Sequence, residues 1–323
     1  SASCATSRPR GDRPVTDGVS IEGRRILVTG AAGQLAFPVA SALAAANDVW
    51  GAARFGRAAD RDRLADAGVR TAAVDLAVPE WSGLPDRFDH VLHFAADITG
   101  DDFDRAIRVN AEGTGLLMAR FATAASILVV SSTVVYDLHD DPEHRFGELD
   151  PLGDSKPLFG RTYPVSKIAQ EAAARTMCRS LGVRTTVARM NLSYGPDGGL
   201  PSYQLDAIRR GAPVTVAAHD TFHNPIHTDD VVASIPGLLA VASVPATVVN
   251  WAGPDTVSMR AYCTLLAELE GRPITFEPVD GFIRSRAVDT TRQHQLLGPC
   301  PTDWRTGMER LVATRPHPTE ESP

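Results

Sequence analysis

From residue 24 onward, short apolar runs rich in Val, Ile and Leu alternate with segments of helical periodicity, and this alternation is the strongest constraint on the fold. Residues 25–29, 48–53, 69–74, 90–94, 127–131 and 183–189 read as strands. Between them, 34–46, 61–67, 103–125 and 162–181 read as helices, with Gly68 and Gly182 standing where two of them stop. Strands separated by helices predict βαβ units and a parallel sheet. The strands are apolar almost throughout, as strands covered on both faces are.

After Asn191 the texture changes. Gly and Pro become dense, helices are predicted at about 203–210, 229–241, 258–269 and 303–312, and Val248-Val-Asn250 reads as a strand returning to the sheet. A chain of 323 residues has room for two domains. The pattern gives a larger α/β domain over 23–190, to which 220–252 returns, and a smaller domain mainly over 191–315. Residues 1–22, polar and without an apolar core, and 316–323 read as disordered tails.

Charge argues against nucleic acid. The net charge is −7, and no basic stripe interrupts it. No apolar run is long enough to span a membrane, so neither a membrane nor a nucleic acid is expected as partner and the cytoplasm is the expected location. Cys4, Cys178, Cys263 and Cys300 are far apart and fit no metal or redox spacing, so no metal site is expected. Of the 32 basic residues 30 are Arg, and the two lysines are Lys156 and Lys167.

Four segments carry chemistry. Thr29-Gly-Ala-Ala-Gly-Gln-Leu-Ala36 lies where the first strand meets the first helix, where glycines let backbone approach a pyrophosphate seated on the helix N-terminus. The second strand ends in Ala53-Arg54 with no carboxylate to grip ribose hydroxyls. Arg54, and with it Arg57, suits a 2′-phosphate, which favours NADP over NAD unless these are plain loop arginines. Asp75-Leu76, after the third strand, either brackets an adenine or forms a turn. Tyr163-Pro-Val-Ser-Lys167 puts a phenol and an ammonium on one helix face, where the cation favours phenolate and lowers the Tyr163 pKa. With five Tyr and two Lys, chance yields such a pair in only about 3% of chains this long. Ser131-Ser132-Thr133 ends a strand where open α/β sheets place ligands, either to polarise a substrate oxygen or to cap the next turn.

Together these segments resemble the short-chain dehydrogenase/reductase superfamily in its extended branch, the NAD(P)-dependent epimerase/dehydratase family, over about residues 24–315. His93-Phe-Ala-Ala96, Val109-Asn110 with Gly113-Thr114, Arg189-Met-Asn-Leu-Ser-Tyr-Gly-Pro196, Ile226-His-Thr-Asp-Asp-Val231 and Asn250–Gly271 resemble further family segments in order. The resemblance implies a Rossmann-type doubly wound sheet of about seven parallel strands with a smaller C-terminal substrate-binding domain. It implies Tyr163 as acid/base, Lys167 as its pKa-lowering partner and Ser132, rather than its neighbours Ser131 and Thr133, as the catalytic hydroxyl. It places on the cofactor Gly30, Ala32, Gly33, Gln34, Leu35, Arg54, Asp75, Leu76, Phe94, Ala95, Ala96, Asn110, Ser131, Tyr163, Lys167, Met190, Asn191 and Ser193. It places on the substrate Asp97, Ser132, Thr133, Asn191, His223 and Arg286. A homodimer through the helices near 103–125 and 162–181 is implied as well.

Two departures from the family pattern matter. His223 stands where members acting on nucleotide sugars commonly carry an Arg for the diphosphate, and Ala36 replaces the third glycine. Among Arg189, Arg209, Arg210, Arg284 and Arg286, the last is the best substitute for the missing cation. The leading expectation is an NADP-preferring oxidoreductase transferring hydride between nicotinamide and a carbonyl or carbinol substrate. The alternative is a nucleotide-sugar 4-epimerase with recycled NAD, and a third reading is a non-catalytic NADP-binding regulator. Thr133-Val134 after Ser132, where dehydratases usually carry Asp-Glu, argues against dehydration.

Overall fold

In the computed structural model, which describes residues 21–98, 100–155, 157–158 and 160–318, strand and helix alternate along the chain. Of the tails expected over 1–22 and 316–323, residues 1–20 and 319–323 lie outside the described residues, whereas Ile21 is buried in the core. The first half comprises β1 (Arg25–Thr29), α1 (Ala36–Ala44), β2 (Asp48–Ala53), α2 (Ala58–Asp66), β3 (Arg70–Ala73), β4 (His90–His93), α3 (Phe103–Ile107), α4 (Gly113–Arg120), β5 (Ser126–Ser132), α5 (Tyr163–Leu181) and β6 (Thr185–Met190). There follow β7 (Ser193–Tyr194), α6 (Leu200–Arg210), β8 (Val214–Ala217), β9 (Phe222–His223), β10 (Ile226–His227), α7 (Thr228–Ala240), β11 (Thr247–Trp251), β12 (Val257–Ser258), α8 (Met259–Glu270), β13 (Phe276–Val279), α9 (Thr291–Leu297) and α10 (Trp304–Thr314).

Seven strands form one sheet in the order β11-β6-β5-β4-β1-β2-β3, all parallel. The fold is therefore the Rossmann-type doubly wound α/β sheet. The strand order reverses between β1 and β4, and ligands bind such sheets at the carboxyl ends of the strands beside that point. Alternate residues of β1 feed two cores. Ile26 and Val28 pack with Val39 and Leu43 of α1 and Ile235 and Leu238 of α7. Leu27 packs on the other face with Leu117 and Met118 of α4 and Ala174 and Cys178 of α5. Each buried Val, Leu, Ile or Met among them contributes roughly 1.5–3 kcal/mol. A further core gathers Tyr194, Leu205, Ile208, Tyr262, Leu266, Met308 and Leu311 under the two-stranded β13–β8 sheet.

The single helix expected over 103–125 is interrupted. A π-helical turn over Arg108–Glu112 separates α3 from α4, and α4 ends at Arg120. The wider turn carries Asn110 into full burial. Gly113 follows because a Cβ there would lie 2.9 Å from Leu76 Cβ, so α4 abuts the chain leaving β3. The short strands β7–β10 and β12, and α9, carry no pattern long enough to read from sequence. Among the described residues no helix is long and apolar enough to cross a membrane, and no group of three or more His, Cys, Asp or Glu is placed to hold a metal ion.

Candidate active site

A cavity of about 520 Å³ opens along the carboxyl ends of the central strands, within the size range of small-molecule and cofactor sites. At its β2–β3 end lie Arg54, Asp75 and Leu76, joined by Phe55 and Asp60. Arg57 is instead paired with Asp60 at 2.9 Å. Arg54 is exposed and makes no hydrogen bond or ion pair with the described residues, so its guanidinium is uncommitted. Asp75 Oδ1 accepts from Ala77 N at 3.0 Å, which makes it a turn residue as well as a lining one.

The middle of the cavity is formed by Gly30, Ala32, Gly33, Gln34 and Leu35. Gly30 has φ +69°, and a Cβ on it would lie 2.8 Å from Ala95 Cα, so only glycine lets β1 turn this close to the end of β4. At Gly33 an added Cβ would meet only the carbonyl of Gly30, at 3.1 Å. The turn thus presents bare backbone to the cavity. Among the described residues no side chain caps α1 and no acidic residue sits in its first turn. Phe37 N donates to Gly33 O at 2.9 Å and Pro38 has no N–H, so the donors left for an anion are the backbone N–H groups of Gln34, Leu35 and Ala36, in the turn itself. This cradle fits the pyrophosphate of a nicotinamide dinucleotide.

At the β5–β6 end Phe94, Ala95, Ala96, Asp97, Ser131, Ser132, Tyr163, Lys167, Met190, Asn191 and Ser193 line the wall. Tyr163 opens α5, with Pro164 in the helix's first turn. Its hydroxyl shares a hydrogen bond with the Ser132 side chain, which favours the phenolate, but burial outweighs this and pushes Tyr163 up to about 12. Lys167 is buried one turn later. Its Nζ donates to Val130 O at 2.7 Å and lies 5.7 Å from the Tyr163 ring centroid. Burial pulls Lys167 down to about 7, with Glu171 pushing it back up. The expected lowering of the Tyr163 pKa by Lys167 is therefore not seen in the protein alone, because burial disfavours both charged forms.

Four expected site residues lie off the cavity wall. Asn110 is a clamp: its Oδ1 accepts from Asp97 N at 2.7 Å, and its Nδ2 donates to Asp97 O at 2.9 Å and Ser166 Oγ at 2.8 Å. It fixes the Asp97 loop to α5, and Arg105 Nε holds the Asp97 carboxylate at 3.1 Å. Thr133 is buried in the turn after β5. His223 and Arg286 are buried, 2% and 5% exposed, and among the described residues His223 Nε2 and Arg286 Nη2 have no hydrogen-bond partner. The loop that carries Arg286 runs beside β9, since Arg286 N donates to Phe222 O at 2.8 Å. Burial and then Arg286 push His223 down to about 3, and burial and then Arg284 pull Arg286 down to about 10. Asn191 links this pair to the cavity, its Nδ2 donating to Arg286 O at 2.6 Å and its Oδ1 accepting from Asn224 N at 3.1 Å.

Sequence reasoning missed two buried networks. Under the cavity floor, His93 bridges Thr29 Oγ1 through Nδ1 and Thr114 Oγ1 through Nε2, each at 2.7 Å. Beside it, Glu171 is paired with Arg189 at 2.8 Å. The signal for Glu171 was present, four residues after Lys167 on the same helix face. Phe55, Asp60 and Ile98, also on the cavity wall, belong to no motif.

The sequence pattern of the NAD dependent epimerase/dehydratase family matches residues 26–245. The UDP-glucuronic acid 4-epimerase from Bacillus cereus, solved with UDP-glucuronic acid and NAD, superposes with TM-score 0.76 at 20% identity, covering 90% of this chain and 98% of that one. MoeE5 in complex with UDP-glucuronic acid and NAD gives 0.75 at 27% identity over 90% and 98%. The UDP-N-acetylglucosamine 4-epimerase from Methanobrevibacter ruminantium M1, with UDP-N-acetylmuramic acid, gives 0.76 at 15% identity over 91% and 98%. Comparison with curated proteins gives no match.

Proposed function

The chain belongs to the NAD dependent epimerase/dehydratase family and is an enzyme of the extended short-chain dehydrogenase/reductase type, and from that premise we propose that it is a nucleotide-sugar 4-epimerase. This prefers the alternative over the carbonyl reductase that the sequence put first. The observation that carries it is Arg286, a buried residue whose Nη2 has no partner among the described residues and whose backbone carbonyl accepts from Asn191 on the cavity wall. A buried cation with a spare donor is costly unless an anion meets it. A diphosphate reaching out of the cavity supplies that anion, and Arg286 then does the work of the Arg replaced by His223.

A nicotinamide dinucleotide held along the Gly30–Leu35 turn and against Tyr163 and Lys167 would supply reversible hydride transfer at the sugar carbon. Tyr163 takes the proton of the substrate hydroxyl and gives it back. Ser132 donates a hydrogen bond to the same oxygen and orients it. Lys167 spends one of its three donors on Val130 O, which leaves two for ribose hydroxyls and for biasing Tyr163 toward phenolate. The same reading includes a homodimer through α4 and α5, where Leu116 and Leu181 stay exposed, and work in the cytoplasm.

The test is incubation with UDP-glucose, UDP-glucuronic acid and UDP-N-acetylglucosamine, with C4 epimers resolved by NMR. Epimer formation that falls at least about a hundredfold in Tyr163→Phe supports the reading. No epimer from any of them would overturn it.

One observation favours the second reading, an NADPH-dependent reductase: the uncommitted Arg54 at the β2–β3 end suits a 2′-phosphate. The cofactor carried through purification separates the two. Tightly held NAD supports the epimerase, whereas exchangeable NADPH whose preference is lost in Arg54→Ala supports the reductase.

A further inference from the structure

Glu171 stands on α5 four residues after Lys167 and eight after Tyr163, so the three share one helix face. Its side chain is 2% exposed and that of its partner Arg189 3%. Its Oε1 accepts from Ser131 Oγ at 2.6 Å and Arg189 Nε at 2.9 Å, and its Oε2 from Arg189 Nη2 at 2.8 Å. Ser131 directly precedes Ser132 at the end of β5, and Arg189 lies two residues before Asn191 at the end of β6. One carboxylate therefore joins the three elements that deliver Tyr163 and Lys167, Ser132, and Asn191 to the cavity. Arg189 extends the tie, its Nη1 donating to Tyr136 Oη at 3.1 Å and Glu148 O at 3.0 Å, and Tyr136 Oη donates to Asn250 Oδ1 at 2.5 Å.

A buried ion pair adds little net stability over well-packed apolar side chains, so the fold itself does not demand this one. We propose that Glu171 is a positioning residue for the Tyr163–Lys167 pair: it locks α5 onto the ends of β5 and β6 and supplies the carboxylate that balances the buried Lys167 ammonium. The proposal rests on the reading of Tyr163 and Lys167 as the acid–base pair.

The groups facing Lys167 make the charge argument specific. From α5 these are Tyr163 and Glu171, and from β5 the Val130 carbonyl. From β4 it is His93, held neutral by burial and then by Lys167 itself. Arg189 of β6 reaches the group through Glu171, whose negative charge opposes the effect of burial on Lys167.

The chain contains only two lysines, so lysine labelled with ¹³C at Cε gives two NMR signals, and Lys156→Arg assigns them. The titration of Lys167 is then read directly, without substrate or cofactor. In E171Q its midpoint is expected to fall by about one pH unit, the size of shift a nearby opposite charge produces. Glu171→Asp, which keeps the charge but withdraws it by one methylene, is expected to shift it less in the same direction, and decides the matter if E171Q does not fold. Ser131→Ala removes a hydrogen bond but no charge, and is expected to leave the midpoint in place. An unchanged Lys167 titration in E171Q, or an equal shift in Ser131→Ala, would overturn the proposal. With an epimer assay in hand, the high-pH limb of kcat moves down in E171Q while KM holds. Full activity in Tyr163→Phe would instead remove the acid–base reading and leave the NMR result standing.

Discussion

Replacing Arg286 by methionine sets stability against binding at one residue. The residue is 5% exposed, its Nη2 has no partner among the described residues, and burial followed by the nearby Arg284 charge pulls its pKa from the ordinary guanidinium value down to about 10. At 1.36 kcal/mol per unit, holding that charge inside costs on the order of 3 kcal/mol. The cost is present in full at pH 7, where the group is charged in both states. It lifts only above about pH 10, where the folded protein sheds a proton that the unfolded chain keeps. Against it stand the Nη1 bond to Ser285 O at 2.6 Å and the cation–π contact with Phe146 at 5.6 Å. These are worth roughly 1 kcal/mol each. Arg286→Met is therefore expected to stabilise the ligand-free protein by about 1 kcal/mol, near 2 °C in Tm for a chain of this size. It is also expected to weaken UDP binding by roughly tenfold to a hundredfold, the worth of a charged hydrogen bond. Scanning calorimetry without ligand and titration calorimetry with UDP read the two effects separately. A Tm several degrees lower with UDP affinity unchanged would show that Arg286 is a structural cation, and the reasoning would fail.

Other perturbations follow from the same geometry. Gly30→Ala forces a Cβ to within 2.8 Å of Ala95 Cα at φ +69°, and is expected to cost at least about 2 kcal/mol in urea unfolding and to abolish dinucleotide binding. His93→Leu leaves the Thr29 and Thr114 hydroxyls short of a partner and is expected to cost about 1–3 kcal/mol, read by the same assay. Burial holds His93 and His223 near 3 in the folded state, so the unfolded chain binds more protons between about pH 6.5 and 3 and stability falls as pH drops through that window. From pH 7 to 5 the two together are expected to remove about 4 kcal/mol. His223→Gln should halve that loss, and an undiminished loss in this variant would contradict the assignment.

Some of the site was written in local sequence because its geometry is local. The turn after β1 needs glycine at a left-handed position, and a strand followed by a helix fixes where that turn lies. Tyr163 and Lys167 share a face because four residues make about one helical turn. Asn110 shows where such reading ends. Its motif placed it on the cofactor, but the π-helical turn over Arg108–Glu112 rotates it into a clamp on Asp97 instead. Asp75 and Arg54, left open between ligand and turn roles, both reach the cavity because β2 and β3 end side by side.

The sequence by itself determined the alternation of strand and helix, the parallel seven-stranded sheet and the identity of the turn and helix that bear the chemistry. Periodicity and backbone sterics act over a few residues. Only the tertiary structure decided which charges are buried and with what. Ser131, Glu171 and Arg189 converge from β5, α5 and β6, and His93 meets Thr29 and Thr114 across three elements. His223 on β9 and Arg286 on the loop beside it each keep a polar atom without a partner among the described residues. Partners so far apart in sequence leave no periodic trace, because what selects them is the cost of removing water from a charge, and that cost exists only once the chain has packed.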